Sequence, residues 1–100
     1  AGGGSAAADD LTAGDAAVTL TTSSGNITID AAANDTDIIF KGTDGGADIT
    51  MLTLDGSADG AAIFKSTVTA TGIVIGSTAV TSTAAELNIL DGVTSTAAEY

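Results

Sequence analysis

Residues 38–66 read IIFKGTDGGADITMLTLDGSADGAAIFKS, and the fold is decided in this stretch. In Ile49-Thr50-Met51-Leu52-Thr53-Leu54 apolar residues alternate with Thr, the two-residue period of a strand with one apolar and one polar face. The alternation slips once, at Met51-Leu52, which marks either a bulge or a change of face. Asp44-Gly45-Gly46 and Asp55-Gly56 punctuate the run as turns. Ile39-Phe40-Lys41 returns 24 residues later as Ile63-Phe64-Lys65, with one Gly/Asp-rich hairpin unit between the two copies.

Outward from this stretch the same grammar continues. Short apolar and Thr runs occur at Val18-Thr19-Leu20, at Ile27-Thr28-Ile29 and over Val68 to Ile75. The first four runs begin at 18, 27, 38 and 49, and the gaps hold Ser24-Gly25-Asn26, Asn34-Asp35 or Asp44-Gly45-Gly46. Turns at that pace build a meander, a sandwich or a β-solenoid. Near the C-terminus the period changes. Thr83 followed by Glu86 is a capping box, Ala84, Ala85, Leu87 and Leu90 favour or line a helix, and Asp91-Gly92 ends it. Ser82-Thr83-Ala84-Ala85-Glu86 recurs thirteen residues later as Ser95-Thr96-Ala97-Ala98-Glu99. Three regions follow: a flexible lead-in over 1–10 that opens AGGGSAAA, a repetitive β region over 11–80, and short helix-turn repeats over 81–100. The last are expected to continue beyond the chain end, and the first residue is not Met, so a fragment or processed chain is expected.

Composition limits the chemistry. The 100 residues contain no Cys, His, Trp or Pro, which removes thiol nucleophiles, disulfides, histidine bases and the usual zinc ligand sets. Eleven Asp and two Glu face only Lys41 and Lys65, and the net charge of -11 repels nucleic-acid phosphates and anionic lipid head groups. Leu, Ile, Val and Phe together number 22, just above the roughly 20% below which chains stay unfolded, and they cluster in alternating runs. Of the 44 hydrophobic residues 20 are Ala, too few large side chains for a thick private core.

Each candidate site has a plainer reading. Asp55, Ser57 and Asp59 stand at positions 1, 3 and 5 of a calcium-loop pattern with Gly60 at 6, yet position 12 is Ser66 where a bidentate Glu belongs. An Asp/Gly turn accounts for them. Asp44-Gly45-Gly46-Ala47-Asp48 lacks the tandem nonapeptide of calcium-binding solenoids. Asp35/Asp37 and Asp9/Asp10 are the nearest carboxylate pairs, but a glycosidase needs an inward pair in an aromatic-lined cleft, and the only aromatics are Phe40, Phe64 and Tyr100. Gly2-Gly3-Gly4-Ser5 reads as linker, not as a phosphate loop. Lys41 and Lys65 serve structure, either pairing with Asp of a neighbouring subunit or guarding strand edges. No catalytic, cofactor-binding or metal-ligating residue is assigned, and an enzyme is not expected.

The segment Thr83 to Thr94, TAAELNILDGVT, with the STAAE that follows, resembles the short AAELN-LDGV repeats of bacteriophage tail fibres and related virion appendage proteins. Residues 25–42, GNITIDAAANDTDIIFKG, resemble the Gly/Asp-rich β repeats that precede such elements in fibres of tailed phages. The resemblance implies an elongated homotrimeric virion component with a β-structured shaft and distal parts that touch a host surface. An aromatic-rich receptor-binding tip is missing from these residues. Strand physics points the same way, because runs with two or three large apolar residues cannot cover both faces of an isolated sheet, while copies of the chain can share their apolar faces.

The expected fold is therefore mainly β: an elongated repetitive β-structure, meander or β-solenoid-like, in an intertwined homotrimer, with a short capped helix near the C-terminus. The expected role is a stiff trimeric shaft, extracellular or virion-borne, whose partners are its own copies, other virion or filament subunits and a host surface glycan or protein. The alternative is a secreted bacterial filament or surface-layer adhesin domain with calcium-stabilised acidic loops.

Overall fold

A central reversal at Gly45-Gly46 organises the chain. Both glycines have positive φ, +60° and +85°, the pattern of a type I′ turn whose twist matches the strands it joins. It connects β1 (Ile38–Asp44) to β2 (Ala47–Asp55), which pair antiparallel from Asp44↔Ala47 to Ile38↔Leu54. β3 (Ala61–Phe64) adds to the other side of β2, so the sheet order is β1-β2-β3. A second, two-stranded sheet pairs β4 (Ile73–Ile75) with β5 (Thr78–Val80), and α1 (Ala84–Asn88) follows. The computed structural model describes residues 7–94. The mainly β character is therefore as expected from the alternation.

The slip at Met51-Leu52 is a bulge. Phe40 pairs with Leu52 and Lys41 with Thr50, leaving Met51 as the extra residue on β2. Gly42 accommodates it: a Cβ there would come within 2.8 Å of the Met51 sulfur, so the thioether lies over β1 where a side chain is missing. The 24-residue repeat also acquires a structural meaning. Phe40 and Phe64 both pair with Leu52, one from each side, so the two Ile-Phe-Lys copies are the two edge strands of one meander. No solenoid coil is formed among the described residues.

Several expectations need correction. Val18-Thr19-Leu20 and Ile27-Thr28-Ile29 join no sheet, and the β structure of the 11–80 region is confined to residues 38–80. A strand needs a partner ladder, and among the described residues neither segment has one; Val18 is 79% exposed and Ile29 58%. Of the run Val68 to Ile75 only Ile73–Ile75 is strand. Its partner β5 was not anticipated, although Gly76-Ser77 is a two-residue hairpin loop with Gly76 at φ +63°, the first-position glycine of a type II′ turn. In the lead-in, Ala8–Asp10 forms a single 3₁₀ turn closed by Asp10 N–H to Ala7 C=O at 3.0 Å. The helix spans Ala84–Asn88, shorter than Thr83 to Leu90, and Gly92 at φ +76° follows it. The repeated cap at Ser95 to Glu99 and the linker glycines Gly2 to Gly4 lie outside the described residues.

These elements enclose nothing. Among the described residues none is buried, and the half-buried ones sit mainly on the central strand: Ile49 and Leu52 to Asp55. The radius of gyration is 20.8 Å, against about 13 Å for a compact domain of this length. Its extents are 73 × 35 × 30 Å. The accessible surface of 8892 Å² likewise exceeds the roughly 5,000 Å² of a compact chain of this mass.

One close backbone approach ties the sheet to the chain entering it. A Cβ on Gly56 would fall on the carbonyl oxygen of Thr36, a backbone atom that cannot swing aside. Gly56→Ala is therefore expected to cost about 1–3 kcal/mol. Gly72→Ala, which meets nothing within 4 Å, is the control. Thermal unfolding followed by circular dichroism reads the contrast, and equal midpoints for the two variants would contradict the tight approach.

Candidate functional site

The acidic residues singled out by spacing act first as local fasteners. Asp55 ends β2, and one of its carboxylate oxygens accepts three bonds: from the Ser57 amide at 2.9 Å, the Ser57 hydroxyl at 2.7 Å and the Ala58 amide at 3.2 Å. That caps the 3₁₀ turn Gly56–Ala58, which Asp59 closes in a left-handed conformation at φ +58°. The Ser57 hydroxyl, and after it the Ser57 and Ala58 amides, hold the Asp55 carboxyl below the usual aspartate range against a desolvation penalty. Ser57 is thus bound inward as a donor. Asp37 adds a long-range bond, accepting from the Gly56 amide at 3.1 Å. Among the described residues no group of three or more carboxylates, His or Cys is placed to hold a metal ion.

Asp35, Asp9 and Asp10 are turn residues. Asp35 has φ +61° beside Asn34, whose side-chain amide donates to it at 3.4 Å, and Thr36 closes the turn by donating to the Ala33 carbonyl at 2.7 Å. Asp9 and Asp10 are exposed on the 3₁₀ turn. Neither pair lines a cleft in the described residues. Lys41 sits on edge strand β1 and forms an ion pair with Asp48 on β2, 2.6 Å apart and well exposed, across a diagonal of the hairpin. Such a pair contributes at most about 1 kcal/mol. Lys65 extends the β2–β3 ladder, its amide donating to the Met51 carbonyl at 3.0 Å. In the capping box, Thr83 N–H donates to a Glu86 carboxylate oxygen at 2.8 Å and Glu86 N–H to the Thr83 hydroxyl at 3.1 Å. The Thr83 amide, then its hydroxyl, keeps the Glu86 carboxyl low.

The feature with reach beyond itself is a sheet face. Strand alternation places Ile38, Phe40, Leu52, Leu54, Ala62 and Phe64 on one side, joined past the bulge by Ile49. Met51 lies over Gly42 on that same side. Phe40, Met51 and Phe64 remain 41%, 46% and 48% exposed. A shallow groove of about 500 Å³ runs across this face between Ile49, Met51 and Phe64, with Asp44 and Lys65 also lining it. The opposite side carries Lys41, Thr43, Asp48, Thr50 and Thr53, with Ile39 and Ile63 flanking Thr53. A smaller groove of about 320 Å³ seats Leu87 of α1 near Ile73 and Val80. Asp48 as the partner of Lys41 was readable once the Gly45-Gly46 reversal was fixed, whereas the Asp37–Gly56 bond left no local trace. No helix among the described residues is long and apolar enough to cross a membrane.

Two outcomes test the fasteners. Because Asp55 and Glu86 carry lowered pKa values, their bonds contribute stability that is fully present above the ordinary carboxylate pKa and is lost as pH falls through the lower folded values. Amide resonances of Ser57, Ala58 and Thr83 should therefore hold their positions from neutral pH into the acid range and move only below the titration of unstructured carboxylates. Movement at the ordinary carboxylate pKa would contradict these bonds. Calcium or a chelator should leave the melting midpoint unchanged, since the Asp55 oxygen and the Ser57 hydroxyl are already engaged with each other; a chelator-induced drop would reinstate a calcium loop.

Models of protein families, curated protein sequences and solved structures were all compared with this chain, and none matches it.

Proposed function

We propose that this chain is a structural segment of an extracellular fibre, a bacteriophage tail fibre or similar virion appendage, that acts as a stiff trimeric shaft supporting attachment to a host surface. The observation that carries the reading is the missing core: the chain folds into ordered antiparallel sheets, yet none of its described residues is buried. Domains are normally stable when an apolar face is covered by a second layer. A single layer that keeps Phe40, Met51, Ile63 and Phe64 about half exposed is half of such a structure. Identical copies supply the other half at no cost in new sequence, and an elongated chain, 73 Å in its longest extent, covers itself best along its length. The AAELN-LDGV resemblance of residues 83–94 selects the fibre class among self-assembling proteins.

The side chains support a mechanical role over a chemical one. The Asp37 and Asp55 carboxylates are turned to backbone amides and the Ser57 hydroxyl, and the Lys41–Asp48 pair is well exposed on the Thr-rich side of a strand pair. Charge sets the opposing force. Three copies would carry three times -11, so assembly has to proceed against self-repulsion that salt screens over roughly 8–10 Å.

Sedimentation equilibrium over a range of protein and salt concentrations tests the proposal. The expected species has three times the 9.5 kDa chain mass, and its stability rises with salt. A monomer that persists at high concentration with the small radius of a compact domain would overturn it.

A further inference from the structure

We infer that copies of this chain meet through the Phe40–Met51–Leu52–Phe64 face of the three-stranded sheet, with the Thr-rich face carrying Lys41 and Asp48 turned to solvent. This rests on the self-assembling fibre reading and names the surface that performs it. Three observations lead there.

The first is placement of charge. Apart from Asp48, which pairs with Lys41 on the Thr-rich side, the acidic residues of this sheet stand at its two ends: Asp44 at the Gly45-Gly46 turn, and Asp35, Asp37, Asp55 and Asp59 at the opposite end. Between those ends the strand interiors on the Phe40/Phe64 side hold no formal charge. Over their strand interiors two such faces can therefore come together without setting carboxylate against carboxylate, leaving Asp44 and Lys65 at the edge of the groove, which favours self-contact in a chain of net charge -11. The other side bears an ion pair and three threonines, all of which would lose water in an interface.

The second is area. On this face Phe40, Met51 and Phe64 remain 41%, 46% and 48% exposed, so a copy laid against it takes three large apolar side chains further out of water. The third is shape. The bulge turns Met51 onto the same side as the two phenylalanines, and Gly42 opens the space its thioether fills, so the face presents a flexible sulfur side chain between two rigid aromatic ones. Buried centres of interfaces favour this composition.

Because the chain has no Cys, single-cysteine variants report the face directly. Met51→Cys and Thr50→Cys are neighbours in sequence on opposite sides of the sheet, and each is treated with a short bismaleimide cross-linker after its circular dichroism is matched to that of the parent chain. Covalently linked chains from Met51→Cys, exceeding those from Thr50→Cys by about tenfold or more, are the expected result. Phe64→Asp should raise the dissociation constant at least about 30-fold while Thr53→Asp leaves it within a few-fold. If the parent sediments as a multimer but Thr50→Cys links as well as or better than Met51→Cys, or neither links, the face is wrong and the fibre reading stands. If the parent is monomeric throughout, both fall.

Discussion

Everything in this structure depends on one constraint: a sheet has two faces, and this chain supplies only one layer. The β1-β2-β3 meander is well made locally, with a type I′ reversal and a register interrupted once by a placed bulge, yet nothing in the described residues buries it. Full burial of a Phe, Leu or Ile side chain is worth about 1.5–3 kcal/mol, and here the large apolar residues of one face realise only part of that. The two-stranded β4-β5 hairpin is more dependent still. Three residues per strand, with Ile75 70% exposed, is a structure that water alone does not hold together.

How the single layer acquires a definite inside is a matter of parity. Side chains alternate along a strand, so a register slip of one residue would move Phe40 or Phe64 to the polar side. Pairing both phenylalanines with Leu52 fixes that parity, and the bulge at Met51 lets β2 shift its alternation without spoiling the face beyond. The 24-residue recurrence of Ile-Phe-Lys is therefore the spacing that returns an antiparallel chain to the same level on the far side of its central strand. At the end of the sheet, the Asp37 carboxylate on the Gly56 amide and the Thr36 carbonyl packed against Gly56 close the connection so that β3 starts in register.

What could be read from sequence divides along the same line between local and shared. The Gly45-Gly46 turn, the slip at Met51, the Asp55 turn and the Thr83/Glu86 capping box are settled by residues within a few positions of one another, and all four are in the structure. Gly76-Ser77 was equally local and was missed because Val68 to Ile75 looked like one continuous run. The Asp37–Gly56 bond joins residues 19 apart and no spacing rule announces it. Val18–Leu20 and Ile27–Ile29 differ in kind: their apolar residues alternate with Thr as those of β2 do, but the ladder that would make them strands is absent among the described residues. Pattern reports a capacity to pair; only a partner turns it into a strand. The acids told a similar story, since their turn role was visible in the Asp-Gly steps, while the apolar face emerged only when register brought Phe40, Leu52 and Phe64 side by side.

Net charge and missing core then become two parts of one design problem. An exposed sheet with free edges and an apolar face invites indiscriminate pairing, and chains of this kind must aggregate unless something makes wrong contacts costly. In the proposed assembly the carboxylates at the sheet ends would repel a copy that approached end-on or out of line, and Lys41 marks the β1 edge. A copy that arrives face to face meets apolar side chains without opposing charge in the strand interiors. The acids therefore cost stability in every geometry but cost least in one, and that difference is a source of specificity independent of any tight fit. In the proposed assembly the excess of Asp would select how copies meet, and the apolar face would supply the reason for them to meet at all.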